Sequence, residues 1–253
     1  MVYYSVTAIM PTYNRVGTDK HLIEEALYWF TRQEYEGQLK LIILNDAARF
    51  GQTIRCDVKG VTVVNSFQRF PTLGAKYNAL VALCNTDIIL PWEDDDISLP
   101  WRVQQSVLAL QGYDYWNPKA AYFQVGKDGP LSLCSPHSVH HNTSGYKRSV
   151  FDLGVRYAED TYGGVRQDAM FDQTVRTTPG VKISPCKFEP PCYVYRWQLG
   201  NAGISNLSGY NDPYTAYVNQ ARPVVGNFNI TPTMGRDYAS EVASCNSESP
   251  CSQ

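Results

Sequence analysis

Apolar residues in the first half of the chain fall alternately into short runs and helical stripes. Residues 4–10 read as a strand that stops at the turn-forming residues Pro11, Thr12, Tyr13 and Asn14. Leu22, Ile23, Ala26, Leu27 and Phe30 then recur at helical spacing, with Thr18 or Asp19 available as cap. Residues 39–44 and 61–64 are continuous apolar runs, as expected of strands buried on both faces. Thr72 caps a predicted helix whose stripe is Leu73, Tyr77, Leu80, Val81 and Cys84. Residues 87–90 return to strand and lead straight into Trp92, Glu93, Asp94, Asp95 and Asp96. Pro100 suits the first turn of the next helix, with Val103, Val107 and Leu110 inward.

Strands alternating with helices predict a largely parallel sheet, and such sheets bind ligands at the carboxyl ends of their strands. Three polar segments fall there: residues 11–15, 45–48 and 93–96. The second half is less regular. Residues 113–125 and 131–141 read as strands of a mixed sheet, and a helix is expected from Gln167 to Arg176. Regularity fades from Asn211, and the Ser-rich residues 240–253 read as a mobile tail.

At 253 residues, 43% hydrophobic and 18% charged, the composition is that of a soluble globular protein. It is too apolar for a disordered chain, and no run approaches the roughly 18 apolar residues of a membrane span. A net charge of −2 supplies no global field for nucleic acid or anionic membrane, although a local basic groove stays open. The seven cysteines form no C-x-x-C pair, so reduced thiols in a cytoplasmic protein are the simpler reading. The N-terminus lacks a basic region and a cleavage site, and is read as a strand rather than a signal peptide. The sequons at Asn142, Asn206 and Asn229 are therefore expected to carry no glycan. No G-x-G-x-x-G, Walker or G-x-S-x-G motif points to an oxidoreductase, a P-loop kinase or a triad hydrolase.

Four consecutive carboxylates, residues 93–96, repel one another unless something compensates. An acidic run is most often a solvated turn. Here it lies where a parallel sheet binds ligands, and Mg²⁺ or Mn²⁺ takes carboxylate oxygens together with substrate phosphates. A metal site is the preferred reading.

VTAIMPTYNR, LIILNDAA, LGAKYNALVAL and DIILPWEDDDISLP follow one another in the order and rough spacing of the inverting family 2 glycosyltransferases. The resemblance extends over about residues 3–200. It implies an α/β fold: a single GT-A (Rossmann-like) domain, with a mainly parallel mixed central sheet flanked by helices and an irregular C-terminal tail. Residues 1–210 would form that domain, with 1–100 the nucleotide-binding half and 101–210 the acceptor-binding half. Residues 211–253 would be an extension.

By the same resemblance Pro11, Thr12, Tyr13 and Asn14 line the base and ribose, with Arg15 beside them. Asp46 would bond the base edge, and Gly74, Lys76, Asn78 and Asp94 would complete the donor pocket. Glu93 and Asp95 take the places of the D-x-D metal motif. Departures from the family pattern are Glu93 for Asp, Ala47 and Ala48 for Gly and Ser, Tyr77 for Arg, and Leu80 for Gly. YKRSVFDLGVRYAED and GGVRQDAMFDQTVR continue the pattern and map Asp168 onto the catalytic base, with Gln167 replacing a Glu. Asp172, one turn on, shares a face with Asp168; it either orients that base or is a surface acid paired with Arg176, the second being preferred. In YRWQLGNAGIS, Arg196 would touch the diphosphate, and Gln198 stands where the family often has a metal-binding His.

His137, His140 and His141 invite a zinc reading, but on an extended segment only two converge and no third ligand is at hand. Trp92, Trp101, Trp116 and Trp197 suit sugar stacking, yet core placement is the commoner fate of tryptophan. Residues 113–116 form an aromatic cluster near the expected acceptor cleft. The expected function is metal-dependent (Mn²⁺ or Mg²⁺), inverting transfer from a nucleotide-diphosphate donor, UDP-sugar favoured, to a free hydroxyl. A glycan acceptor is favoured over nucleic acid. Two alternatives stay open: a sugar nucleotidyltransferase, and a catalytically inactive GT-A binding module.

Overall fold

The structure, a computed structural model, describes residues 3–13, 15, 20–48, 51–118, 120–134, 141–159, 167–197 and 225–247. In chain order its elements begin with β1 (Val6–Thr12), α1 (Lys20–Phe30), β2 (Leu39–Asn45), β3 (Gln52–Arg55) and β4 (Val61–Asn65). Next come α2 (Leu73–Ala82), β5 (Ile88–Pro91), β6 (Ile97–Ser98), α3 (Arg102–Ala109), β7 (Tyr115–Trp116) and β8 (Ala121–Val125). β9 (Ser132–Cys134), β10 (Gly145–Lys147), α4 (Gln167–Thr177), β11 (Tyr193–Trp197), β12 (Gly226–Asn229) and α5 (Tyr238–Ser247) complete the set.

The central sheet has the order β4-β2-β1-β5-β10-β7, with β4, β2, β1 and β5 parallel and β10 antiparallel to both its neighbours. Every residue of β1 is buried, because helices cover both faces of the sheet. Val6, Ala8 and Met10 pack with Ile23, Leu27, Val103 and Val107, from α1 and α3. Ile9, Ile42 and Leu44 pack on the other face with Tyr77, Leu80 and Phe171, from α2 and α4. The register sets Thr12 beside Asn45 and Ile9 beside Pro91, so the segments after β1, β2 and β5 meet at one edge. As expected, Thr72 caps α2, its hydroxyl accepting from the Ala75 amide at 3.1 Å.

A second sheet, β6-β11-β8-β9, shares a third apolar cluster with Trp29, Tyr238 and Val242. A parallel pair, β12 with β3, joins residues 226–229 to residues 52–55.

Some expectations fail. Residues 113–125 hold two separate strands, β7 and β8; of residues 131–141, 132–134 form β9, His141 begins a 3-10 turn, and 135–140 lie outside the described residues. α3 starts two residues after Pro100. The predicted mobile tail is corrected for residues 240–247, which continue α5. Its Tyr238 and Val242, one turn apart, are buried against Trp29 despite the polar residues around them. Thr18, Asp19 and residues 248–253 lie outside the described residues. Cys56, Cys84, Cys186 and Cys192 are free thiols. Among the described residues no helix is long and apolar enough to cross a membrane.

Candidate active site

Thr12, Arg15, Asp46 and the acidic turn 93–96 meet at the carboxyl edge of the central sheet. Arg15 binds Asp94 through two bonds of 3.1 Å and reaches Asp95 Oδ2 with Nη2 at 2.7 Å. Thr12 Oγ1 donates to Asp94 Oδ2 at 2.6 Å. Both oxygens of Asp94 are thus used inside the protein. Asp96 is equally committed: Oδ1 accepts from the Arg196 amide at 2.7 Å and Oδ2 from the Tyr193 hydroxyl at 2.6 Å. Burial and the Asp95 charge push its carboxyl up to about 7.

The other two carboxylates differ. Glu93 accepts from the Tyr77 hydroxyl through Oε1, and Asp95 from Arg15 through Oδ2. Each keeps one oxygen without a hydrogen-bond partner among the described residues. Both side chains are part-exposed, whereas Asp94 and Asp96 are buried. The run therefore alternates between carboxylates held inward, at 94 and 96, and carboxylates with an open oxygen, at 93 and 95. Burial raises the Glu93 carboxyl well above the usual range, opposed by the Tyr77 bond. Burial likewise raises Asp95, with Arg15 opposing it.

No group of three His, Cys, Asp or Glu among the described residues could hold a metal ion by itself. A pair of carboxylates with one open oxygen each nonetheless fits Mg²⁺ or Mn²⁺, which bind through one or two carboxylates and complete their shell with phosphate and water.

The structure gives several other expected site residues positions inside the protein. Asp46 is wholly buried. Its Oδ1 accepts from Lys76 Nζ at 2.7 Å, and its Oδ2 from Arg69 and from the Phe70 amide. Both oxygens are taken, so Asp46 positions Lys76 and Arg69 rather than offering itself to a base edge. Lys76 also donates to the Thr12 carbonyl at 2.6 Å, and burial lowers its pKa. The Arg69 guanidinium lies 3.8 Å from the Tyr13 ring centroid. Pro11 ends β1 as a buried strand residue. A Cβ at Gly74 would sit 1.9 Å from the Ala158 carbonyl oxygen, so glycine is needed there for packing. Asn78 clasps the Tyr157 backbone, accepting from its amide at 2.9 Å and donating to its carbonyl at 3.0 Å. Arg196 braces the acidic turn: Nε donates to the Asp95 carbonyl at 2.5 Å and Nη1 to Glu25 at 2.6 Å. Asn14, His137, His140 and Gln198 lie outside the described residues.

Asp168 sits in the first turn of α4, half-buried. Burial pushes its carboxyl up to about 6, with the Gln167 amide pulling the other way. Burial raises the phenols of Tyr77 and Tyr157, and the Asp168 charge adds to it. These rings belong to a column: Phe171 stacks on Tyr157 at 4.0 Å and Tyr157 on Tyr77 at 4.7 Å. The Tyr77 hydroxyl then meets Glu93. The column links the Asp168 helix to the acidic turn.

Asp172 is paired with Arg176 at 2.7 Å as expected, but it is buried and also accepts from the Tyr115 hydroxyl at 2.7 Å. His141 is buried against Tyr157, 2.9 Å from its hydroxyl, and burial pushes its pKa down to about 3. It is a neutral core histidine. Trp92 and Trp116 are fully buried, and so is Tyr115, which removes residues 115 and 116 from any acceptor surface. Sequence reasoning missed Arg69, Glu25, Tyr193 and Tyr157, whose partners are distant in the chain.

Comparison with known proteins follows the same lines. The sequence model described as Glycosyl transferase family 2 matches residues 7–130. No curated protein sequence matches. Among solved structures, S. aureus TarS 1-349 in complex with UDP-GlcNAc aligns with a TM-score of 0.57 at 13% identity, covering 86% of this chain and 65% of that one. The same protein in complex with UDP gives 0.54 at 13% identity, over 85% of this chain and 71% of that one. A further crystal structure of S. aureus TarS 1-349 gives 0.54, also at 13% identity, over 76% of this chain and 60% of that one. The chain thus spans about 60–70% of the length of these structures.

Proposed function

We propose that this chain, which has the GT-A fold and matches the family 2 glycosyltransferase model over residues 7–130, is a glycosyltransferase that moves a sugar from a UDP-sugar to an acceptor hydroxyl, with inversion and with a divalent metal. The observation that carries the proposal is the alternation in the acidic turn, where Asp94 and Asp96 are consumed by the fold while Glu93 and Asp95 each keep an open oxygen. The UDP-GlcNAc and UDP complexes of the TarS structure support a uridine donor.

Mn²⁺ or Mg²⁺ held by Asp95 and Glu93 would neutralise the charge that develops on the departing diphosphate. The remaining work falls to the chain itself. Arg15 fixes the Asp95 carboxylate and keeps a guanidinium charge at the same edge. Asp46 and buried Lys76 form the support beneath this edge, and Asp46 holds Arg69, a planar cation that suits a diphosphate or a uracil ring. Asp168 takes the proton from the acceptor hydroxyl as that oxygen attacks the anomeric carbon, and a carboxylate titrating near 6 is suited to do so at neutral pH. Attack opposite the leaving diphosphate inverts the anomeric centre.

Thermal unfolding with UDP, Mn²⁺ and both together tests the donor site. Both together should raise Tm by more than the sum of the separate shifts, since each completes the other's site. Asp95→Ala should lose that excess while Asp168→Asn keeps it. Equal behaviour of the two variants would contradict the assigned roles.

A further inference from the structure

Arg196 links the acidic turn to α1. From β11 its amide donates to Asp96 Oδ1 at 2.7 Å and its Nε to the Asp95 carbonyl at 2.5 Å, while Nη1 reaches Glu25 Oε2 at 2.6 Å. The remaining nitrogen, Nη2, is buried and has no hydrogen-bond partner among the described residues. Both partners of the ion pair are shielded, with 3% of the Arg196 side chain exposed and 12% of Glu25. Burial opposes the guanidinium charge, and Glu25 leads the groups that favour it. Glu25 itself stands on a fixed support. Leu22, Ile23, Ala26 and Leu27 of α1 are buried, and the Ala26 carbonyl accepts from the Trp92 indole at 3.2 Å, one residue before Glu93. The neighbouring Glu24 is spent elsewhere, on Lys20 at 2.8 Å and on the Thr231 amide at 3.0 Å.

Asp95 therefore has two cations for neighbours and is bonded by one. Burial raises its carboxyl, and the Arg15 and Arg196 charges both oppose that rise. Arg15 does so through a direct bond to Oδ2 at 2.7 Å. Arg196 acts only through its charge, since its ion pair is made with Glu25. We propose that Glu25 is a positioning residue for the divalent cation of the reaction proposed above: by holding Arg196 it keeps the guanidinium off the open Asp95 oxygen and cancels a positive charge beside it. The inference rests on that reading, in which Asp95 is a metal ligand. Two physical effects give Glu25 this role. A guanidinium with a free fork beside a carboxylate pairs with it through two bonds, and would then compete with a metal ion for the same oxygen. An uncompensated cation in a shielded site also repels a divalent ion far more strongly than it would in water. The Glu25 carboxylate removes both.

The test titrates Mn²⁺ into the full chain at saturating UDP and reads free Mn²⁺ by electron paramagnetic resonance. Glu25→Ala should weaken Mn²⁺ binding by about 10–100-fold, as when a group that orients a metal's ligands is removed. Glu25→Gln is nearly isosteric and can still accept from Arg196, so it loses the charge alone. Its Mn²⁺ affinity should fall between those of the parent and Glu25→Ala, and it decides the matter by itself if Glu25→Ala does not fold. In an Arg196→Met background, Glu25→Gln should change Mn²⁺ affinity by less than about twofold, because no guanidinium remains to be held. A merely structural role for Glu25 would lower Tm in both Glu25 variants and leave Mn²⁺ affinity alone. Parent-like Mn²⁺ affinity in folded Glu25→Gln would overturn the proposal while leaving the donor site standing. An equal loss with and without Arg196 would overturn it too, since Glu25 would then act by another route. No Mn²⁺ binding by the parent would overturn it together with the metal-dependent reading.

Discussion

Arg15 holds two neighbouring aspartates at once, and Asp94 is buried beneath it with both oxygens bonded. Removing the guanidinium leaves a buried charge without its main partner, a loss of about 3–5 kcal/mol in comparable cases. Arg15→Met should therefore lower the urea midpoint strongly, while Asp95→Asn, part-exposed, should move it little. A similar loss in both variants would mean that Asp95 belongs to the scaffold. Asp168 carries an opposite pair of consequences. Its carboxyl must be ionised to accept a proton, so transfer should fall as pH drops below about 6, and a pH–rate profile checks the limb. Stability runs the other way. A carboxyl raised in the fold contributes most below its unfolded pKa, and that contribution is lost as pH rises through about 6. Asp168→Asn should gain stability over the parent at pH 8 and gain little at pH 4, as read by urea titration at both.

Among the elements, α2 carries the tightest constraint. Gly74 lies against the Ala158 carbonyl, and the added Cβ of Gly74→Ala would meet backbone, which cannot swing aside as a side chain would. Separation of α2 from residues 155–159 should cost about 1–3 kcal/mol, measurable by chemical unfolding. It should also loosen the ring column of Tyr77, Tyr157 and Phe171 that ties the Asp168 helix to Glu93. A Gly74→Ala variant as stable as the parent would show that this contact relaxes freely. Elements were legible in the sequence where a long segment carries an apolar stripe on one side, as in α1, α2 and α4, or a continuous apolar run buried on both faces, as in β1 and β2. β3 and β6 were not, since four and two residues hold too little periodicity to register. β12 depends on a partner about 170 residues away in the chain, and α5 hides two core residues in a Ser-rich stretch.

Across the whole molecule, the parallel sheet fixed in advance where the polar segments would meet, and that much of the candidate site could be read directly. The resemblance singled out Glu93 and Asp95, but why these two keep an open oxygen while Asp94 and Asp96 do not could not be read, because it depends on Arg15, Tyr77, Tyr193 and Arg196, all distant in sequence from the turn they hold. Asp46 shows the same limit, its Arg69 and Lys76 partners filling both oxygens that the resemblance left open for a base. The measurement that tests the central claim most directly is release of free nucleotide from UDP-, GDP-, dTDP- and CMP-sugars, with Mn²⁺ or with EDTA, by the parent and by Asp95→Ala. The predicted result is slow UDP release from at least one UDP-sugar, dependent on Mn²⁺ and abolished in Asp95→Ala. UDP release that persists at the same rate in EDTA and in Asp95→Ala, or none from any UDP-sugar, would contradict it.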